Sequence, residues 1–182
     1  MTPDYEVVEE VGGLYRIIAL RMIRQTEGVD FHAVPLGALE HIGAIDRVLH
    51  GKGAISPGAV GDVERPWYMH THQADNLLVL HGERYVEIYT AAHGRVESFV
   101  VAPHRIEKNG AAVLSGAGML VWPVGVFHRI ISSAETGSAS VNLAVHYAGF
   151  DMRTNFNVYD LDTRTGQYRV IREGHRDQPG TS

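Results

Sequence analysis

The chain has 182 residues, 45% of them apolar and 20% charged, with a formal net charge of −5 at pH 7. This is the length and composition of one globular domain, and the acidic balance offers no electrostatic footprint for nucleic acid. Because there is no cysteine, disulfides and thiolate metal sites are excluded, and any metal must be held by histidine, carboxylate or amide groups.

The N-terminus, MTPDYEVVEE, is acidic and lacks the basic-then-apolar order of a secretory signal, and the longest apolar segment, residues 14–23, is cut by Arg16 and Arg21. A soluble, cytoplasmic protein with no membrane span is expected. In residues 5–24 the Val, Ile and Tyr content favours strands, with Gly12-Gly13 as the turn between two of them. Residues 25–30 read as polar loop, residues 36–41 suit a short helix, and 45–49 suit a strand. Residues 51–66 carry four glycines and two prolines, as a long loop does. His70 and His72 come next. On an extended strand both would leave one face, so that two imidazoles can meet one ion, and Tyr68 shares that face. Gln73, Ala74, Asp75 and Asn76 read as a short polar turn. The apolar run 77–80, bounded by His81 and Gly82, then folds back over the histidines.

Residues 83–90 alternate strictly, with Arg84, Val86 and Ile88 on one face and Glu83, Tyr85, Glu87 and Tyr89 on the other. Ala92-His93-Gly94 is a turn, 96–101 a strand, and Asn109-Gly110 and Ser115-Gly116 punctuate the stretch up to residue 118. Residues 119–122 lead into a Pro123-Val-Gly125 turn, 126–132 return carrying His128, and 139–147 form a strand with His146 near its end. Residues 156–171 read as a hairpin turning around 163–166, and 176–182 as a disordered tail. Short strands at this spacing imply an antiparallel barrel or sandwich.

The pattern HxH at His70 and His72, an acidic residue and Gly82, followed by Gly118, Pro123-x-Gly125 and His128, resembles the paired motifs of the cupin superfamily. The resemblance spans residues 61–147 and implies an all-β fold, an antiparallel cupin-type β-barrel (jelly roll) with extra N- and C-terminal strands. It would form a single domain over 1–182, with a core at about 45–150, an N-terminal extension at 1–44 and a C-terminal hairpin at 155–172. In that family two histidines, a glutamate and the second-motif histidine hold one metal ion, which makes His70, His72 and His128 the implied ligands. Counting back from Gly82 puts Asp75 in the glutamate's place, whereas counting forward from His72 puts Asn76 there, and Gln73 is a weaker amide candidate. If none of them ligates, a three-histidine site results. His81 and His146 are read as structural residues that could reach the pocket. His32, His41, His50, His93, His104 and His175 are assigned to the surface.

Imidazoles with at most one carboxylate suit Fe(II), Mn, Co, Ni, Cu or Zn rather than Mg or Ca. The expected function is a mononuclear metalloenzyme acting on a small organic molecule, with Fe(II) favoured and a dioxygenase-type oxidoreductase reaction preferred. Tyr68 and Asp75 are the candidate catalytic residues. The alternatives are a metal-independent cupin resembling the sugar-nucleotide epimerases and isomerases, with His70 or His72 as base, Asp75 assisting and Tyr68 as proton donor, or a non-catalytic small-molecule-binding cupin. Trp67, Tyr68, Met69, Leu78, Leu80, Val126 and Phe127 surround the motifs, and Arg65, Arg84 and Arg129 are few for holding phosphates. A small, mostly apolar or aromatic substrate is therefore expected. Outer strands around 7–22 and 157–171 leave open sheet edges, and a homodimer is expected to cover them.

Overall fold

The computed structural model describes residues 5–179. The chain opens with β1 (Val7–Val11) and β2 (Tyr15–Ala19), then β3 (Arg21–Thr26) and β4 (Val29–Ala33), a 3-10 turn at Leu36–Ala38, and β5 (Ala44–His50). β6 (Ile55–Ser56) interrupts the long loop before β7 (Trp67–Met69), β8 (Gln73–Gly82) and β9 (Arg84–Tyr89). Then come β10 (Glu97–Ala102), β11 (Arg105–Lys108), β12 (Ala111–Ser115), β13 (Gly118–Trp122), β14 (Phe127–Ser132) and β15 (Ser138–His146). The short helix α1 (Met152–Asn155), the hairpin β16 (Val158–Asp162) and β17 (Gln167–Arg172), and a 3-10 turn at Gly174–Asp177 close the chain. The tail expected to be disordered from residue 176 thus begins inside that last turn, and 180–182 lie outside the described residues.

The strands pair antiparallel into two facing sheets. One runs β1-β2-β13-β8-β15-β5, and the other β12-β11-β10-β9-β14-β7-β16-β17, with β6 against β14. The two-residue period of each strand sorts its side chains. Leu77 and Val79 on β8, Val86 and Ile88 on β9, and Leu120 and Trp122 on β13 meet between the sheets with Phe99, Val101 and Ile106. Residues of opposite parity pack on the outer faces. Met119 and Val121 meet Ile18 and Leu143 under the Leu36–Ala38 turn, and Trp67, Met69 and Phe127 meet Tyr89 and Tyr159. Burying each such side chain contributes roughly 1.5–3 kcal/mol, so the parity of β8, β9, β13 and β14 is fixed on both sides.

Three sequence expectations change, the first being the helix expected over 36–41, which is only the 3-10 turn Leu36–Ala38. The polar stretch 25–30 is not a loop, because Thr26 and Val29 close a tight hairpin around Gly28 at φ +71°, and β3 and β4 form a separate ribbon. Gln73 to Asn76 is not a turn either: it is the start of the longest strand, and the chain bends at Thr71 and His72 instead. No helix among the described residues is long and apolar enough to cross a membrane.

Gly82, the last residue of β8, holds φ +67°, and a Cβ there would run into the carbonyl oxygen of Gly137. Gly82→Ala must strain both backbones, and we expect a loss of about 2 kcal/mol or more. The measurement is urea unfolding, with a lowered midpoint at unchanged slope.

Candidate functional site

Three elements converge at one end of the space between the sheets. β14 presents His128 inward, with neighbouring Phe127 turned to the outer cluster. His70 lies just past β7 and is held where its backbone carbonyl accepts from Gly125 N at 2.8 Å. β8 presents Gln73, Asp75 and Leu77 to the cavity, while Asn76 leaves the opposite face, where its Nδ2 donates to Leu143 O at 2.6 Å. Strand parity therefore decides between the two counts for the acidic position, and Asp75 faces the histidines. The ligand-capable atoms of His70, Asp75 and His128 all lie within 4.8 Å of one another, and all three residues are buried.

The hydrogen bonds around this group orient its lone pairs. Asp75 Oδ1 accepts from Gln73 Nε2 and from Asn142 Nδ2, each at 2.7 Å. Its Oδ2 is buried, makes no hydrogen bond, and stands 3.4 Å from His70 Nε2. His70 Nδ1 lies 2.5 Å from the Asn155 carbonyl oxygen, and His128 Nδ1 lies 3.1 Å from that of Val126. A carbonyl only accepts, so each Nδ1 carries a proton and each Nε2 points away from that carbonyl. Burial, with His70 beside it, pushes His128 down to about 4 against the opposing pull of Asp75, so this ring is neutral at pH 7. The Nε2 atoms of two imidazoles and one bare carboxylate oxygen are thus gathered in one buried space. This is the arrangement in which a metal-ligating histidine donates its other N–H to a carbonyl.

The cavity in front of the group has a volume of about 150 Å³. Tyr68 stands in its wall, its ring centroid 6.0 Å from that of His128, and burial pushes its phenol pKa up despite a hydrogen bond with Ser56. Phe156 lies edge-on to His70 at 5.5 Å. Other residues around the cavity come from outside the motif positions. His50, read as a surface residue, is half-buried with Nδ1 2.9 Å from Ser132 Oγ, and Arg84 lies inside the barrel at 2% exposure. Asn155 closes α1, capped at its start by the Asp151 side chain on Arg153 N, and its Nδ2 donates to Gln73 Oε1 at 2.9 Å. The available signals were parity, since 46, 48 and 50 share a face on β5 and Arg84 shares one with Val86 and Ile88, and the Asp cap before Met152.

His72 is not brought to the group. The bend that ends β7 turns it outward, where it is exposed with Nδ1 2.9 Å from Thr71 Oγ1. Two residues of extended chain would have put both rings on one face, but the chain is not extended there. Gln73 donates its Nε2 to Asp75 Oδ1, and its Oε1 is met by Asn155 Nδ2 and His146 Nε2. His81 is exposed. His146 stacks on Phe150 with centroids 3.6 Å apart and meets Gln73 Oε1 at 3.1 Å, one residue removed from Asp75. Arg65 and Arg129 lie outside the barrel, the latter over the Trp67 ring and paired with Glu87 at 2.6 Å.

Burial, with the Arg84 charge adding to it, pushes His50 from 6.5 down to about 4. As pH falls the unfolded chain binds this proton first, so the contribution is full above about pH 6.5 and is lost progressively towards about pH 4. In His50→Gln the decline in unfolding midpoint between pH 7 and pH 5 should be shallower than in the parent. Urea titrations at the two pH values check it, and an equal decline would exclude His50 as a source.

No protein-family model matches the chain, and no curated protein matches it in sequence. Its structure does match solved ones. The sugar 3,4-ketoisomerase QdtA from Thermoanaerobacterium thermosaccharolyticum, solved in complex with TDP, is 13% identical with a TM-score of 0.51, over 75% of this chain and 82% of that one. A 3,4-ketoisomerase from Helicobacter canadensis gives 13% and 0.51 over 78% and 88%. The dTDP-4-dehydrorhamnose 3,5-epimerase from Elizabethkingia anophelis gives 13% and 0.54 over 80% and 76%. At this identity the likeness establishes architecture, and the chain has the all-β, antiparallel fold of the RmlC-like cupins.

Proposed function

We propose that the chain is an enzyme that acts on a small oxygen-bearing molecule in the barrel cavity, at a divalent transition metal held by His70, Asp75 and His128. The observation that carries this reading is the bare, buried Asp75 Oδ2 facing two imidazoles whose Nδ1 protons are committed to carbonyls. Apposed lone pairs repel, and a cation between them relieves the repulsion. Two nitrogens and one carboxylate oxygen suit Fe(II), Mn, Co, Ni, Cu or Zn, and two histidines with one carboxylate are the donors of non-haem iron oxygenases among others. When bound, the ion supplies Lewis-acid polarisation of a substrate carbonyl or hydroxyl and, if iron, oxygen activation. The chain's own residues do the rest. Gln73 and Asn142 fix the carboxylate, Asn155 and Val126 fix the rings, Phe156 and Trp122 restrict water, and the Tyr68 hydroxyl is held protonated as a donor at the wall.

A second reading is favoured by the solved structures, which are those of sugar-nucleotide ketoisomerases and an epimerase. In it no metal is used. His70 takes a proton from carbon beside a carbonyl, Asp75 at 3.4 Å stabilises the imidazolium, and Tyr68 returns a proton. A cavity of about 150 Å³ admits the sugar ring alone, so the nucleotide would lie outside it.

Elemental analysis of protein purified without an affinity tag separates the readings. We expect bound metal in the parent and in His72→Ala, and its loss in His70→Ala, Asp75→Ala and His128→Ala, because each of these removes one of three donors. Full metal content in His128→Ala would end the metal reading. Thermal stabilisation by a dTDP-sugar alone, persisting in chelator, would install the acid–base isomerase in its place.

A further inference from the structure

The cavity has a second pole. Arg84 Nε donates to Ser138 Oγ at 3.0 Å and Nη2 to the Val48 carbonyl at 3.4 Å, and no carboxylate among the described residues lies within ion-pairing distance of the guanidinium. Ser138 Oγ is 2.8 Å from Ser132 Oγ, which meets His50 Nδ1 at 2.9 Å, so the guanidinium is surrounded by neutral acceptors and a neutral imidazole. Burial alone lowers this arginine to about 10. Asp46 also lines the cavity, but its Oδ2 is engaged by Asn142 Nδ2 at 3.3 Å. A guanidinium remains charged at any pH a cell provides, and a buried charge without a counter-ion is costly unless something brings one.

The register places this pole relative to the first. On the paired strands Ser132 lies opposite Arg84 and His128 opposite Ile88, four residues away. At about 3.3 Å per residue that is roughly 13 Å of strand, from which the inward reach of both side chains subtracts. Ile130 lies between the poles on β14, and Val48 and Leu77 line the same cavity. Arg84 is the only arginine or lysine among the described residues that line the cavity, so one anionic group can be satisfied there, and a diphosphate cannot.

We infer that the cavity takes a small amphiphilic carboxylate, its carboxylate paired with the Arg84 guanidinium, its apolar body against Val48, Leu77 and Ile130, and its oxygen-bearing end at His70, Asp75 and His128. This deepens the proposed function and rests on it for the role of the far end; the anion pairing itself needs no metal. Planar bidentate recognition of carboxylate is what a guanidinium does best, and the burial of Arg84 away from water strengthens it. The Ser138 and Val48 contacts fix the plane of the group before the ligand arrives.

The test compares acids with their neutral amides by calorimetry: benzoate, phenylacetate and hexanoate against benzamide, phenylacetamide and hexanamide. It is run on protein as purified and again after chelator treatment. We expect each acid that fits to bind at least about tenfold more tightly than its amide, before and after chelation. Arg84→Gln should abolish that discrimination, and Arg84→Lys should keep part of it. A merely bracing arginine would change the melting temperature without discriminating acid from amide. Equal binding of acids and amides, or no binding of any acid at millimolar concentration, overturns the inference. So does a preference for acids that vanishes with chelator, since the anion then sits on the metal, or one that survives in Arg84→Gln. The comparison in the parent protein decides the matter even where Arg84→Gln does not fold. Metal content is measured separately, so loss of the metal reading leaves the acid preference standing, and the reverse also holds.

Discussion

The Asp75 carboxylate is the constraint around which the interior of the barrel is arranged. A buried carboxylate costs several kcal/mol unless its oxygens are met. Here two amides meet one oxygen, leaving the other bare beside two imidazoles. Gln73 can offer its Nε2 to Asp75 because its own Oε1 is occupied by Asn155 and His146. Asn142 can reach across because β15 pairs with β8 in a register that places it opposite Leu77. The polar interior is therefore one connected network, and its parts brace one another. The apolar cluster between the sheets, from Leu14 to Val126, supplies the burial that offsets such a network.

This division explains what could be read from the chain and what could not. Alternation in residues 84–89 and the turn signals at Gly12-Gly13, Asn109-Gly110 and Pro123-Val-Gly125 mark strands and their ends, because pleat parity and turn chemistry are local properties. The antiparallel barrel emerges from them together with the motif resemblance. Polar residues mislead wherever a strand face lines a cavity. Gln73, Asp75 and Asn76 have the composition of a turn, yet each finds a partner on a neighbouring strand that local sequence does not display. His50 fails for the same reason, since an inward polar side chain and a solvated one are written with the same letters. Spacing brought His70 and His72 together on paper. A bend at Thr71 separates them, set by tertiary hydrogen bonds from Gly125 to His70 O and from Tyr147 to His72 O.

The two poles give the cavity a direction. Imidazoles and a carboxylate stand at one end, a guanidinium at the other, and the aliphatic Ile130 between them. Each pole is fixed by groups that do not themselves face the ligand space. Carbonyls of Asn155 and Val126 hold the rings, and Ser138 and the Val48 carbonyl hold the guanidinium. Pre-set orientation of this kind lowers the ordering cost of binding. It also means that changes several ångströms away act on the site through the residues they support.

One of those supports comes from far along the chain. The sheet that carries Asp75 receives its last strand, β15, by His146, whereas the carbonyl that orients His70 belongs to Asn155, in a helix of a single turn between β15 and β16. Synthesis from the N-terminus therefore delivers the two halves of this contact at different times. The segments that bear His70, Asp75 and His128 emerge first, and the group that sets the tautomer of His70 emerges later. Until then the ring lacks that acceptor, and nascent protein halted near residue 150 carries all three side chains without the carbonyl that orients His70.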